Sequence, residues 1–433
     1  MTADEIREKQ KKYVFPALSN YYREPLVLAR GKGQYLYDHE GRQYLDFFGG
    51  ILTVGLGHVH PRVANAAARQ LERLWHVSTL YQTQTMVEYA EELARVTPGQ
   101  LQKSFFTNSG TEANEAAALF AQLHTGCREI VALRHGYSGR SFLAMSLTGN
   151  GGWRLGGSHV AGIKHALNPY CYRCPLTLTY PACDLRCARD VEELILTTTS
   201  GRIAAFFAEP VQGVGGFITP PPDYFRVVEK IVRKYGGIMV IDEVQTAWGR
   251  TGKLFACEHY GLAPDVMTMA KGAANGLPIG ITIATSAVAD SVSGLTISTF
   301  GGNPVCLAAA RATLAVILDE GLSGHCAAVG GYLREQLEAL REKYPVIGDV
   351  RGMGLMQALE LVGENNAPQA GLASELMEET KKRGLLIGKS GLYGNVIRIS
   401  PPMIIDRTDV DAAVAILDAA LEVVSDRLRK GVH

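Results

Sequence analysis

Three apolar runs in this 433-residue chain each end on an ionisable residue. Glu209 closes the run in IAAFFAEPVQG (203–213), Asp242 the run in GIMVIDEVQTAWGR (237–250), and Lys271 the run in DVMTMAKG (265–272). A lysine that follows VMTMA and precedes Gly272 is partly desolvated. Its pKa falls, and it becomes an amine nucleophile able to form an imine with an aldehyde. A carboxylate at the end of a buried strand is costly unless paired, and for Asp242 a cationic heteroaromatic nitrogen is one suitable partner. Upstream, FFTNSGTEANEAAALFA (105–121) joins an apolar run to a Gly-containing turn and a helical segment. Backbone N–H groups and the hydroxyls of Ser109 and Thr111 at that helix start suit a phosphate. Each feature has a plainer reading: an ordinary cap, a salt-bridged aspartate, a lysine that snorkels to solvent. Taken together, the plainer readings lose ground.

The elements that must position these groups follow from the same runs. Continuous apolar stretches of this length fit parallel strands buried on both faces, so the polar ends fall at strand C-termini, where open α/β sheets place ligands. Helical patterns such as YFRVVEKIVRKYG (224–236) alternate with them. That alternation predicts right-handed crossovers and a mainly parallel sheet, an α/β fold. After about residue 315 the pattern changes: helix-like stretches at 328–343 and 370–383, the strand-like VIRISPP (396–402) and a last helix near 408–429 predict a smaller α+β domain.

Composition narrows the partners. Lys plus Arg (43) equals Asp plus Glu (43), so nothing in the balance favours nucleic acid or an anionic membrane. The N-terminal MTADEIREKQKKYVF is charged throughout, and no stretch approaches ~18 uninterrupted apolar residues. A cytoplasmic protein acting on small molecules is expected.

The ordered segments SGTEANEAA, EPVQG, DEVQTAWGRTG, MAKGAANGLPIG and STFGGNP resemble the class III, ω-amino acid type, aminotransferases of pyridoxal 5'-phosphate (PLP) fold type I. GKGQYLYDHEGRQYLDFFGG (31–50), GLGHVHPRV (55–63) and IRISPP (397–402) extend the likeness from about residue 20 to 425. Several motifs in a fixed order are far more specific than one Gly-rich loop. The resemblance implies a large PLP domain over 51–315 and a small domain built from 1–50 and 316–433. It also implies roles. Lys271 would bond the cofactor covalently and shuttle a proton, while Asp242 would keep the ring nitrogen protonated. Val244 and Tyr137 would pack on the two ring faces, and Gln245 would reach the phenolic oxygen. Ser109, Gly110 and Thr111 would hold the phosphate. Thr299 would serve the phosphate site of a neighbouring subunit, which implies a homodimer with shared active sites, or a tetramer built from it. Arg398 would bind a substrate carboxylate, and Glu209 would pair with Arg398 when no carboxylate is present. The implied reaction is ping-pong transfer of an amino group from an amino acid, ω-amino acid or amine to a 2-oxo acid.

Some positions depart from the family pattern. In YSGRS (137–141) Ser138 stands where many relatives have His, and Arg140 resembles an arginine used for a distal carboxylate. Tyr21 aligns loosely with a substrate-pocket tyrosine. His58 and His60, between Gly and Pro, read as a structured turn. The segment CYRCPLTLTYPACDLRC brings Cys171, Cys174, Cys183 and Cys187 into a C-x2-C, C-x3-C pattern, which raises the expectation of a structural zinc site beside the plainer one of reduced cysteines. Two rivals follow: a PLP aminomutase or decarboxylating transaminase on the same scaffold, and a non-catalytic, metal-stapled binding protein.

Overall fold

The computed structural model describes residues 1–157 and 159–429. Fifteen strands form three sheets among these residues. The N-terminal strands β1 (Leu28–Lys32), β2 (Tyr35–Asp38) and β3 (Gln43–Asp46) form an antiparallel meander. The central strands are β4 (Leu101–Thr107), β5 (Ile130–Leu133), β6 (Ile163–Ala166), β7 (Ala205–Ala208), β8 (Ile238–Asp242), β9 (Val266–Met269) and β10 (Gly280–Thr285). Toward the C-terminus come β11 (Ile347–Met353), β12 (Met356–Leu361), β13 (Leu385–Leu386), β14 (Gly388–Ser390) and β15 (Val396–Ile399).

The central sheet runs β4-β10-β9-β8-β7-β5-β6. Its pairs β9–β8, β8–β7, β7–β5 and β5–β6 are parallel, and only β10 is reversed, antiparallel to both β4 and β9. Every residue of β5, β7, β8 and β9 is buried, as unbroken apolar runs require when helices cover both faces. Helices Gly110–Thr125, Arg186–Thr198 and Tyr224–Lys234 supply crossovers between these strands.

Register places the chemistry. Ala208 pairs with Ile241 and Asp242 with Thr268, so Glu209, Asp242 and the turn after β9 meet at one sheet edge. The predicted C-terminal helices are present as Leu322–Lys343, Ala370–Lys382 and Arg407–Arg429. The first begins six residues before the predicted 328, because Gly324 blunts the apolar signal of its first turns without stopping the helix. Short β13 pairs in parallel with β3, Leu385 beside Leu45, which ties the two ends of the chain together. Sheet β11-β12-β15-β14 carries Arg398 on its inner strand β15. No helix among the described residues is long and apolar enough to cross a membrane.

Candidate active site

The C-terminal ends of β4, β8 and β9 open into a cleft of ≈ 340 Å³. Its lining includes Ser109, Gly110, Thr111, Tyr137, Glu209, Asp242, Val244, Gln245 and Lys271, nine of the residues singled out in the sequence. That volume suits a small cofactor rather than a macromolecule.

Lys271 opens a short 3-10 turn, Lys271–Ala274, directly after β9. It adopts a left-handed backbone, φ +43°, rare for a residue with a β-carbon. The indole of Trp248 donates to the Ala270 carbonyl at 3.3 Å, and Asn275 bonds Leu56 N–H at 2.8 Å and the Gly57 carbonyl at 2.9 Å, so both flanks of the turn are held. Burial lowers the Lys271 pKa, and the nearby Asp242 and Glu209 charges oppose that shift. The amine is therefore easier to obtain neutral than on an ordinary lysine.

Asp242 is fully enclosed. It accepts from Val244 N–H at 3.0 Å and from the Asn114 amide at 2.7 Å. Burial pushes its pKa up to about 6, against those two donors and the Lys271 charge. A cationic ring nitrogen beside it would restore the ionised form. Asn114 was missed as a site residue by sequence reasoning. It also donates to the Ser138 carbonyl at 2.8 Å and accepts from the Thr268 hydroxyl at 2.7 Å, so it holds Asp242 in a single orientation. The available signal was helical spacing: Asn114 lies one turn after Gly110 and faces the same way.

Close packing around Gly110 and Gly139 depends on their having no side chain. A Cβ on Gly110 would meet Val244 Cγ1 at 2.8 Å, and one on Gly139 would meet Thr111 Oγ1 at 2.5 Å. Ser109 caps the helix, its hydroxyl accepting from Glu112 N–H at 3.2 Å. Gln245 packs on Gly213 and leaves its side-chain oxygen without a partner among the described residues. Tyr137 lies edge-on to Trp153, ring centroids 5.4 Å apart.

Arg398 is 4 % exposed, and its Nε and Nη1 have no partner among the described residues. It touches the Tyr21 hydroxyl at 3.5 Å and lies over the rings of Phe48 (5.0 Å) and Phe217 (5.7 Å). A planar fork with free N–H groups can accept a carboxylate through two parallel hydrogen bonds. The expected Glu209–Arg398 pair is not formed. Glu209 instead accepts from Tyr137 N–H at 3.0 Å and Gly213 N–H at 2.8 Å. Burial and the Asp242 charge push its pKa up to about 8, so near neutral pH it is largely protonated and a poor ion-pair partner. Arg140 and Thr299 are both exposed, and neither lines the cleft.

The zinc expectation is not supported. Among the described residues no group of three or more His, Cys, Asp or Glu side chains could hold a metal ion. All four cysteines are free thiols, Cys171 exposed and Cys174, Cys183 and Cys187 half-buried. They are near neighbours: burial and then the other three raise the Cys187 thiol to about 11. Burial, before the neighbouring sulfurs, also raises the Cys171 thiol, so Cys171 and Cys187 both lean toward the protonated form rather than the thiolate a metal ligand needs. His58 pairs with Asp46 at 2.9 Å, which makes its turn structural.

Comparison with known proteins agrees with this geometry. The family description "Aminotransferase class-III" matches residues 18–421. Alanine–glyoxylate aminotransferase 2 homolog 2, mitochondrial, of Arabidopsis thaliana is 41% identical over 97% of this chain and 88% of its own length. Alanine–glyoxylate aminotransferase 2, mitochondrial, of Homo sapiens is 36% identical over 98% and 87%. The PLP-bound amine transaminase from an uncultivated Pseudomonas species superposes with a TM-score of 0.90 at 33% identity, covering 95% of this chain and 99% of that one. With a sheet that gathers a desolvated lysine, a caged aspartate and a glycine cradle, and with the family matched along nearly its whole length, the chain belongs to the class III aminotransferases, PLP-dependent enzymes that transfer an amino group to a 2-oxo acid.

Proposed function

We propose that this transaminase works on carboxylate-bearing partners, taking the amino group of an amino acid or ω-amino acid and giving it to glyoxylate, pyruvate or 2-oxoglutarate. The observation that carries this is Arg398, buried with two unpartnered nitrogens, while Glu209 is engaged by two backbone N–H groups. For Glu209 to neutralise Arg398 during turnover of a simple amine, it would have to give up both bonds and its proton. Each lost buried hydrogen bond costs about 1–3 kcal/mol, so simple amines are disfavoured.

PLP, when bound, supplies the electron sink that lets the C–H bond beside the amino group break. The residues present fit it. Gly110, Thr111 and the helix N-terminus beside Ser109 would take the phosphate, Asp242 would face the ring nitrogen, Val244 and Tyr137 would flank the ring, and the free Gln245 oxygen would lie near its phenolic group. Arg398 and Tyr21 orient the carboxylate so that the donor's C–H points toward Lys271. Lys271 Nζ, whose hold on a proton is weakened by burial, would take that proton. Asp242, held by Asn114, would keep a proton on the ring nitrogen. Arg140 would reach a second carboxylate. Thr299 lies in an exposed apolar stretch with Leu295 (94 % exposed) and Phe300 (58 %), which we assign to contact with a second copy and to that copy's phosphate site, in a homodimer. The cofactor domain spans 51–315 in this reading.

The test is a panel of single half-reactions, following the visible absorbance of the bound cofactor with alanine, β-alanine, 4-aminobutyrate, ornithine and simple monoamines. Carboxylate-bearing donors should bleach it at least tenfold faster. Equal rates with monoamines would refute the reading, and carbon dioxide or a rearranged amine among the products would assign the decarboxylating or mutase alternative.

A further inference from the structure

Glu209 is aimed by two backbone amides, and both amides are braced from outside the cleft. Arg351 on β11 is 8 % exposed, and its Nε donates to the Gly216 carbonyl at 2.7 Å. Gly216 closes a turn onto the Gly213 carbonyl (3.2 Å), and Gly213 is the residue whose N–H holds Glu209. A Cβ on Gly216 would lie 3.1 Å from Arg351 Nη2, and its φ of +103° excludes other residues, so the turn and the guanidinium are fitted to one another.

The second arm starts from the same cation. Arg351 Nη1 donates to Asp349 and to Glu360, each at 2.7 Å, and its guanidinium lies over Tyr170 at 4.8 Å. Glu360 on β12 is 1 % exposed and accepts further from the Tyr170 hydroxyl, from Arg173 and, at 3.3 Å, from Asn395. The Tyr170 ring stands edge-on to His135 at 5.9 Å and 84°, and His135, with φ +67°, forms the turn that delivers Tyr137 N–H to Glu209. Arg173, set between Cys171 and Cys174, gives the cysteine-bearing segment a place in this brace.

We infer that the buried Arg351–Glu360 pair, which touches neither the cleft nor its cofactor residues, is the positioning element that holds the Glu209 carboxylate in register, one arm through Gly216 and Gly213, the other through Tyr170, His135 and Tyr137. The inference rests on Glu209 facing the substrate only for its consequence. The brace itself is testable without turnover. A buried ion pair of this kind contributes orientation more than net stability.

Hydrogen–deuterium exchange of the full-length holoenzyme, read by mass spectrometry, reports directly on the two amides. Arg351→Gln should speed exchange in the peptides containing Gly213 and Tyr137 at least tenfold, while the peptide over 110–125 stays within twofold of the parent. Arg351→Lys should not restore protection, since an ammonium cannot span Gly216, Asp349 and Glu360 together. If Arg351→Gln does not fold, Tyr170→Phe and Arg173→Gln each remove one donor to Glu360 and should speed exchange at Tyr137 about threefold, with Gly213 less affected. Unchanged exchange at both amides, or the same acceleration everywhere, would overturn the brace. If the amides loosen but the preference between carboxylate donors and monoamines does not move, the brace stands and the substrate-facing role of Glu209 fails.

Discussion

The two ends of the cleft are built by different rules. At the cofactor end, Asp242, Lys271, Gly110 and Thr111 belong to the central sheet or the turns that leave it, and the helix Gly110–Thr125 packed on that sheet adds the Asn114 amide that fixes Asp242. At the carboxylate end, beyond the lining of the cleft itself, Arg398 comes from β15 and Tyr21 from the N-terminal segment, 377 residues apart, while Glu209 at the end of β7 is held by one amide close in sequence and one distant, Gly213 and Tyr137. The first end serves the cofactor whatever the substrate. The second can vary with little effect on the fold, which is where a family of shared chemistry would be expected to diverge in specificity.

The contrast can be broken or sharpened in order of effect. Lys271→Ala should lower turnover by about 10³-fold or more and abolish the visible absorbance of covalently held cofactor, measured by single-turnover spectroscopy. Arg398→Lys should raise KM for the 2-oxo acid about tenfold and leave the cofactor spectrum unchanged, because a point charge replaces a planar fork. If both variants changed the spectrum alike, the two ends would not be separable. Arg140→Ala should raise KM for 2-oxoglutarate about fivefold, the scale of one exposed charge pair, and leave KM for pyruvate unchanged; equal effects would remove Arg140 from the substrate site.

Glu209 offers a pH test of the same boundary. Its folded pKa of about 8 lies above its ordinary value of 4.5, so the folded state holds the proton more tightly than the unfolded chain. Stability from this group is full below about 4.5 and declines as pH rises toward 8. Glu209→Gln, which cannot ionise, should therefore gain melting temperature relative to the parent from pH 5 to pH 8 in cofactor-free protein; a constant difference would exclude the shift. The smallest effect belongs to the cysteine segment. Cys171→Ser should change stability by less than ~0.5 kcal/mol in chemical denaturation, as for any exposed residue without a bound metal, whereas a loss of several kcal/mol would restore the zinc reading.

The cofactor end was legible from the amino acids alone because its signal is local. An apolar run of strand length with one polar residue at its end specifies both a buried strand and a group placed at the sheet edge, and a Ser-Gly-Thr start specifies a helix N-terminus. Arg398 was legible only through family likeness. Its partner Tyr21 lies 377 residues away, and no local pattern reports such a contact. Asn114 was hidden for another reason: as one polar residue in a helix of alanines it has many plain uses, and only the packing of that helix against β8 and β9 turns its amide onto Asp242. The cysteines misled because neighbouring thiols need not share the geometry of a metal site: among the described residues no group of three or more could hold an ion. By itself, then, the sequence determined the α/β sheet and the strand-end placement of Lys271 and Asp242, because periodicity and burial are short-range. Tertiary structure alone decided that Glu209 is bound by backbone N–H groups rather than by Arg398, since which donor reaches a buried carboxylate depends on how separate elements dock, and docking satisfies polar groups over the whole molecule at once.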